Sequence, residues 1–308
     1  MRYLVTGGDG FIGKSVVKSL IELGHDVRTL DNHFRSKPVL HSPFSVESQI
    51  GDIRDPRVVN VACRGVDAIV HLASINGTRH FYEKPALVTE VGIVGMLNIT
   101  ESARRYEVRD FTLFSSSEVY QTPDVIPTPE RVSLVIPDIR NPRYSYGGAK
   151  IASELILTHI GADIFDSIRI VRPHNIYGPD MNPDHVIPAL ISKLKNNDEF
   201  LEIQGDGQQS RAFCYIEDFE KAFTLVITRQ VPYEIYNIGT DEEISILNLA
   251  KKLIRISGIA KPISTSVANV GETSRRCPDI SLLKSLGFKQ KWSLDKGLTS
   301  TWNHSEQR

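Results

Sequence analysis

The stretch that decides the fold is Thr6-Gly7-Gly8-Asp9-Gly10-Phe11-Ile12-Gly13, close to the start of the chain. It follows the apolar run Tyr3-Leu4-Val5, which predicts a buried strand, and precedes residues 14–23, where apolar residues recur at helical spacing. The glycines permit a sharp turn, close approach of a phosphate to the backbone, and close packing of helix on strand. Unpaired N–H groups at the helix start favour a pyrophosphate. The stretch therefore predicts a dinucleotide site lined by Gly7, Gly10, Phe11, Ile12 and Gly13.

An acidic residue follows the next predicted strand. The run Val27-Arg28-Thr29-Leu30 leads directly to Asp31. A carboxylate at this point of a dinucleotide-binding unit accepts hydrogen bonds from the adenosine ribose and repels a 2′-phosphate. Asp31 therefore predicts NAD rather than NADP as the cofactor, and Arg35 is the cation that would favour NADP instead.

The composition indicates a water-soluble enzyme. The 308 residues carry a net charge of −1, which favours neither nucleic acid nor an anionic membrane as a partner. The chain enters its first predicted strand at once, and no apolar stretch is long enough to span a membrane. The 3 cysteines and 9 histidines are scattered without metal-ligand spacing. We therefore expect a cytoplasmic protein with reduced thiols, no bound metal and no membrane or nucleic-acid partner.

The order of predicted elements favours an α/β fold. Strands and helices alternate, with strands predicted at 67–72, 111–115 and 167–172 and helices at 85–106 and 145–160. This order predicts a doubly wound parallel-sheet Rossmann domain with a smaller α/β substrate-binding lobe. The Rossmann domain is expected over residues 1–175 and again at about 210–235. The smaller substrate-binding lobe is expected mainly over residues 176–308.

A tyrosine and a lysine at helical spacing are the candidate catalytic pair. Tyr146 and Lys150 share one helix face, and the polar stretch Ser115-Ser116-Ser117-Glu118 follows a predicted strand. A nearby ammonium stabilises a phenolate, which can take a proton from a sugar hydroxyl while hydride leaves the same carbon. Either Ser116 or Ser117 would hydrogen-bond the substrate oxygen. An alternative is that Glu118 is simply a structural carboxylate.

With these motifs the chain resembles the extended short-chain dehydrogenase/reductase family, in particular its nucleotide-sugar epimerases, dehydratases and decarboxylases. The resemblance covers nearly the whole chain. Its markers are Gly7-x-x-Gly10-x-x-Gly13, Asp31-Asn32, Asp52-Ile53, His71-Leu72-Ala73, Ser115 to Tyr120, Tyr146-x-x-x-Lys150, Arg172 to Pro179, Gly205-Asp206-Gly207, Arg211-Ala212-Phe213, Asn237-Ile238-Gly239 and Arg275-Arg276-Cys277-Pro278-Asp279.

The resemblance implies further site residues and partners. It implies cofactor contacts by Asn32, Asp52, Ile53, Leu72, Ala73, Tyr146 and Lys150. It implies that Asn175, Arg211 and Arg275 bind a nucleotide-diphosphate sugar, for which arginine forks are suited; only one of Arg275 and Arg276 need reach the phosphates. It also implies a homodimer formed by the helices around 86–106 and 145–160.

Two segments depart from the family pattern. The family usually has asparagine three residues before the helix glycine, whereas this chain has Gly92-Ile93-Val94-Gly95. We therefore assign no role to Gly92. The segment Ser74-Ile75-Asn76-Gly77-Thr78-Arg79-His80 is also atypical, and it is expected close to the sugar. Asn76, Thr78 or Arg79 are the candidates for setting specificity.

Family members oxidise the sugar at C4 and differ in the middle step. A 4,6-dehydratase usually carries Asp-Glu where this chain has Ser117-Glu118, so the acid for the leaving hydroxyl is absent. The Ser-Glu pair is typical of UDP-glucuronate decarboxylases. We favour a 4-epimerase, followed by a decarboxylase and then a dehydratase. A dehydrogenase that exchanges NAD with solution and a non-catalytic dinucleotide-binding protein remain alternatives, because fold alone does not determine function; the presence of both Tyr146 and Lys150 argues against the latter.

Overall fold

The computed structural model of the chain describes residues 1–35, 46–267, 271 and 273–307. The strands in this part are β1 Arg2–Thr6, β2 Asp26–Asp31, β3 Glu47–Ile50, β4 Ala68–His71, β5 Asp110–Phe114, β6 Ser167–Pro173, β7 Ile176–Tyr177, β8 Leu201–Gln204, β9 Ser210–Ala212, β10 Cys214–Tyr215, β11 Tyr233–Ile238, β12 Glu243–Ser245, β13 Ile263–Ser266 and β14 Arg275–Arg276. The α-helices are α1 Phe11–Glu22, α2 Pro56–Cys63, α3 Thr78–Glu83, α4 Pro85–Arg105, α5 Ser145–His159, α6 Val186–Lys195, α7 Ile216–Ile227, α8 Ile246–Ser257, α9 Ser281–Ser285 and α10 Leu294–Glu306. Short 3-10 helices span Ser117–Val119, Pro142–Tyr144 and Gly161–Asp163.

A seven-stranded parallel sheet forms the centre of the molecule. Its strand order is β11-β6-β5-β4-β1-β2-β3, so the order reverses between β1 and β4. Ligands of open α/β sheets bind at such a reversal, outside the carboxyl ends of the strands. The predicted doubly wound Rossmann fold is confirmed, and its topology directs attention to the loops after β1 and β4.

Two apolar cores cover the two faces of this sheet. Successive strand residues point to opposite faces, and β1 shows this alternation. Leu4 packs in the core that includes α2, α4 and α5, whereas Tyr3 and Val5 pack in the core that includes α1 and α7. Burial of both faces explains why the central strands are nearly continuous runs of apolar residues.

The element boundaries differ from the predicted ones in informative ways. Helix α1 begins at Phe11, three residues before the predicted start, so the last glycine of the loop lies inside the helix. The elements β3, α2 and α3 are short, with 4, 8 and 6 residues, and no strand or helix is predicted for them from the sequence. The chain returns to the main sheet with α7 and with β11, which pairs with β6. The predicted division into two domains stays a prediction.

A third apolar core lies in the C-terminal half of the chain. It is built mainly from α6, α8, α10 and the neighbouring short strands. These strands have two to four residues each and form small sheets, β10-β7, β12-β9-β14 and β13-β8. In the described residues, no helix is both long enough and apolar enough to cross a membrane.

Candidate active site

A cavity of about 340 Å³ opens at the carboxyl edge of the main sheet. It brings together residues from both halves of the chain. Of the predicted site residues, those lining it are Gly7, Gly10, Phe11, Ile12, Gly13, Asp31, Asn32, Ile53, Leu72, Ala73, Ser116, Ser117, Glu118, Tyr146, Lys150 and Asn175. Residues that are distant in sequence therefore share one pocket, as expected for a cofactor site next to a substrate site.

The glycine loop forms a cradle that has no room for side chains. Gly7 has φ of +72°, and a Cβ there would lie 2.9 Å from the backbone nitrogen of Ala73. A Cβ on Gly13 would collide with the carbonyl oxygen of Gly7. The loop after β1 thus packs against the loop after β4 and against the start of α1. Backbone N–H groups at this helix start are suited to a pyrophosphate, so these residues fit NAD.

Asp31 lies at the end of β2 and lines the cavity. Its carboxylate accepts hydrogen bonds from the backbone N–H groups of Asp9 at 3.1 Å and His33 at 2.8 Å. These contacts orient the carboxylate at the strand end. The position fits the role in ribose binding that the sequence predicts.

Asp52 belongs to a polar cluster with Arg54 and Asn32. Its carboxylate lies 2.8 Å from Arg54 Nη2 and accepts a hydrogen bond from Asn32 at 3.2 Å. Hydrogen bonding to Arg54, together with its charge, lowers the pKa of Asp52 to about 2. Asp52 is not among the residues lining the cavity, whereas its neighbour Ile53 is. The Asp52 side chain therefore helps to hold the loop around Ile53.

Tyr146 and Lys150 are both buried on α5 and face the cavity. Burial raises the pKa of Tyr146 to about 12, against the lowering effect of hydrogen bonding with Ser116 and Ser74. Burial lowers the pKa of Lys150 to about 8, with Glu154 acting in the opposite direction. Burial therefore dominates the pKa of the Tyr146 phenol. The Lys150 ammonium donates to the Phe114 carbonyl at 2.6 Å.

The three serines after β5 have different surroundings. The Ser115 hydroxyl donates to Glu154 at 2.5 Å. The Ser116 hydroxyl accepts from the Glu118 N–H at 3.1 Å and also hydrogen-bonds with Tyr146. Ser117 begins a short 3-10 helix and lines the cavity. Ser116 therefore differs from the two neighbouring serines, because its hydroxyl is paired with the candidate base Tyr146.

Glu118 is buried against two arginines. Its carboxylate lies 2.7 Å from Arg276 Nη1 and 3.0 Å from Arg143 Nη2. Burial alone would raise the pKa of Glu118, but the charges of Arg276 and Arg143 lower it to about 2. Glu118 is therefore ionised, and the cluster carries one more positive than negative charge. A carboxylate in this state is a poor proton donor.

The predicted diphosphate-binding residues differ in position. Asn175 lines the cavity, and its Nδ2 donates to the Ala212 carbonyl at 3.1 Å. Arg211 lies on β9 outside the cavity lining, and its guanidinium donates to the carbonyls of Ser210 and Thr273. Arg275 also lies outside the lining; its side chain is 52% exposed and pairs with Glu243 at 2.6 Å. Its neighbour Arg276 is the one that faces the cavity.

Some residues at the cavity belong to no recognisable motif, so the sequence assigns them no role. Phe81 of α3 lines the cavity, and Arg143 lies against the Phe81 ring without lining the cavity itself. Arg35 was considered only as a cation that would favour NADP, yet it too lines the cavity. Of the atypical segment, Asn76 and Thr78 line the cavity, whereas Arg79 is exposed and lies 3.5 Å from Glu83.

Gly92, the departure from the family pattern, lies at the contact between α4 and α5. A Cβ there would lie 2.7 Å from the Cβ of Ala149, and the Gly92 carbonyl accepts a hydrogen bond from Ser153 at 3.1 Å. The glycine thus allows the two helices to approach closely. Among the residues that the structure describes, no group of three or more histidine, cysteine or acidic side chains could hold a metal ion.

Comparison with known proteins gives concordant matches. The model of the NAD-dependent epimerase/dehydratase family matches residues 3–239. A putative UDP-glucose 4-epimerase from Methanocaldococcus jannaschii is 31% identical over 306 residues, covering 97% of both chains. UDP-glucuronic acid decarboxylase 1 from Xenopus tropicalis is 29% identical, covering 97% of this chain and 71% of its own. The crystal structure of UDP-glucose 4-epimerase from Thermotoga maritima with UDP-glucose superposes with a TM-score of 0.90 at 27% identity, covering 100% and 99% of the two chains.

Proposed function

Since the chain belongs to the NAD-dependent epimerase/dehydratase family, we propose that it is a nucleotide-sugar 4-epimerase. The observation that carries the proposal is the arrangement of Ser116, Tyr146 and Lys150 on one cavity, beside a turn that lacks a proton donor for elimination. The comparisons support an enzyme of the nucleotide-sugar epimerase, decarboxylase or dehydratase group.

The glycine loop, Asp31 and the loop after β4 would hold NAD, which would supply a hydride acceptor and later a hydride donor. Tyr146 takes the proton from the C4 hydroxyl of the sugar, and Ser116 hydrogen-bonds the same oxygen as it becomes a carbonyl. Lys150 provides a positive charge that favours the phenolate once its ammonium is directed toward the reacting groups. After the sugar has presented its other face, hydride returns to C4 and Tyr146 returns the proton to the C4 oxygen.

The serine turn argues against dehydration. Elimination of a hydroxyl group needs an acid close to the leaving oxygen. Position 117 carries serine, and Glu118 is held ionised between Arg276 and Arg143. Neither side chain can donate a proton readily, whereas epimerisation at C4 needs no further acid.

A UDP-uronate decarboxylase is the second candidate, and the same cluster favours it. Arg276 and Arg143 leave a surplus positive charge beside the cavity, which would attract a carboxylate on C6 of the sugar. Ser117 and Glu118 also match the pair that is typical of these decarboxylases. The relative from Xenopus tropicalis carries that activity in its name.

We further propose that Arg276 and Asn175 bind the nucleotide-sugar, because both line the cavity. Arg211 is retained as a diphosphate contact at the edge of the site. Arg275 is the weaker choice, since Glu243 already pairs with its guanidinium at the surface. Residues from 176 onward, apart from the return to the sheet, would form the substrate-binding lobe.

We also propose a homodimer formed through α4 and α5. These two helices pack side by side, and they leave apolar side chains in solvent, namely Val94, Leu97, Leu155 and Ile160. A continuous pair of helices with exposed apolar residues is typical of an association surface.

Proton NMR in deuterated water tests the reaction. The protein is incubated separately with UDP-glucose, UDP-N-acetylglucosamine, UDP-glucuronate and dTDP-glucose. We expect a C4 epimer without carbon-bound deuterium, because the same hydride returns to C4. A pentose product from UDP-glucuronate would establish the decarboxylase instead, and a 4-keto-6-deoxy product the dehydratase. Both of those reactions pass through an enol or enolate and introduce deuterium at C5.

A further inference from the structure

The ring of Phe81 lies flat against the ring of Tyr146. Their centroids are 5.2 Å apart and the planes differ by only 11°. Phe81 belongs to α3, is 2% exposed and lines the cavity. The side chain therefore covers the candidate base from within the site rather than filling a remote part of the core.

Phe81 also contacts the charged cluster at the serine turn. The guanidinium carbon of Arg143 lies 5.4 Å from the centroid of the Phe81 ring, within the range of a cation–π interaction. The same guanidinium pairs with Glu118. Lys150 Nζ lies 5.7 Å from the Tyr146 ring centroid. Phe81 thus joins Tyr146 to the side chains that surround the proposed sugar position.

A phenol must be positioned accurately to act as a base. Rotation about the Cα–Cβ bond swings the tyrosine oxygen through an arc, and a displacement of about 1 Å at a reacting group can cost roughly a hundredfold in rate. A stacked ring opposes movement perpendicular to its plane, because that movement either separates the rings or forces them together. An aliphatic side chain of similar volume gives no such flat surface.

On this basis we propose that Phe81 is a positioning residue for Tyr146, which holds the phenol oxygen in line with Ser116 and the substrate hydroxyl. The inference rests on the proposed function of Tyr146 as the base. It gives a role to α3, whose first three residues belong to the atypical segment Ser74 to His80. The role of Phe81 is to hold the base in position, not to take part in the chemistry.

The test compares Phe81→Leu with Phe81→Tyr, which keeps the ring. Phe165→Leu is the matched control, because Phe165 is also buried but packs with its ring tilted by 49° against Phe111 in the core. With the sugar that the NMR assay identifies, we expect Phe81→Leu to lower kcat at least tenfold with KM and NAD content within twofold of wild type. In Phe81→Leu, the acid limb of the profile of kcat against pH should move to lower pH. The reason is that water entering beside Tyr146 reduces the burial that raises the pKa of the phenol. Phe81→Tyr should keep most of the wild-type kcat, because it retains the aromatic ring.

Phe165→Leu should lower the melting temperature without changing kcat or the pH profile. The inference would be refuted if Phe81→Leu had the same kcat as wild type. It would also be refuted if Phe81→Leu and Phe165→Leu lost the same fraction of kcat. Crystal structures of wild type and Phe81→Leu give a readout that needs no substrate. We expect the Tyr146 oxygen to move or to lose its single position in the variant. If wild type converts none of the four sugars, the proposed function fails, and an unmoved Tyr146 oxygen would still refute the role of Phe81.

Discussion

Arg276 Nη1 lies 2.7 Å from Glu118 Oε1, and this ion pair joins the turn after β5 to β14, far along the chain. Arg143 completes the cluster from the 3-10 helix that precedes α5. Both arginines and the carboxylate are largely buried. Three segments that meet beside the cavity are therefore held together by charge.

Replacing Glu118 by glutamine should destabilise the protein, because two buried guanidinium groups lose their shared carboxylate. Removing one partner of a buried ion pair typically costs about 3–5 kcal/mol, and chemical unfolding followed by circular dichroism measures the change. In the Glu118→Gln/Arg143→Gln double variant, part of this loss should be recovered. Glu243→Gln, which removes a pair at the surface, should cost much less. A loss equal to that of Glu243→Gln would contradict the role of the cluster.

Tyr146→Phe should abolish turnover and leave the bound NAD in place, since only the proton-transferring hydroxyl is removed. Lys150→Met should lower both turnover and NAD content, because the ammonium serves the phenol and the cofactor side of the cavity. Acid extraction followed by chromatography measures NAD, and NMR measures turnover. A Tyr146→Phe variant that keeps a tenth of wild-type activity, which is within about 1.4 kcal/mol in activation free energy, would refute the proposed base.

The two candidate serine hydroxyls can be separated by paired variants. Ser116→Ala should lower kcat by roughly a hundredfold, in the range of a lost general-acid/base or transition-state hydrogen bond. Ser117→Ala should change kcat by less than about fivefold, because its hydroxyl is not paired with Tyr146. Steady-state kinetics with the NMR-identified sugar gives both values. The reverse ranking would assign the role to Ser117.

Acid should weaken the fold through three histidines. Burial lowers the pKa of His71 and of His174 to about 3 and that of His185 to about 4, whereas an unfolded histidine titrates near 6.5. Between these values the unfolded chain binds protons that the folded chain does not. The free energy of unfolding is therefore highest above pH 6.5 and falls as the pH is lowered, by about 1.4 kcal/mol per pH unit for each histidine.

Denaturant unfolding between pH 7 and pH 5 measures this slope. His174→Gln should reduce it by about a third, because His71 and His185 keep their contributions. The range ends at pH 5 because Glu118, with a folded pKa of about 2, adds its own loss once the pH falls below about 4.5. Unfolding that is independent of pH from 7 to 5 would contradict the prediction.

If the protein forms the proposed dimer through α4 and α5, charged substitutions on these helices should reduce its mass in solution to that of a monomer. Leu97 is 42% and Leu155 is 55% exposed on α4 and α5, and glutamate at both positions would place charges in an apolar interface. Sedimentation of wild type should give a dimer, and the double variant should be monomeric. Substitution of Val267, which is exposed away from these helices, serves as the control. A monomeric wild type would rule out the dimer.

Local sequence determined the nucleotide-binding half of the site. The loop of Gly7, Gly10 and Gly13 and the carboxylate of Asp31 lie within one βαβ unit, so their spacing along the chain already specifies their spacing in space. The pair of Tyr146 and Lys150 could be predicted for the same reason, since one helical turn separates them. The parallel sheet and five of its seven strands followed from the alternation of apolar strands with amphipathic helices, whereas β3 and β11 did not.

Only the tertiary structure decided which side chains meet at the sugar end. The sequence could not distinguish Ser116 from Ser117, or Arg275 from Arg276, because neighbours on an extended strand or turn point in opposite directions. It also did not reveal the stack of Phe81 on Tyr146 or the charge of Glu118. Those properties depend on burial and on contacts between distant segments, which leave no periodic pattern in the chain.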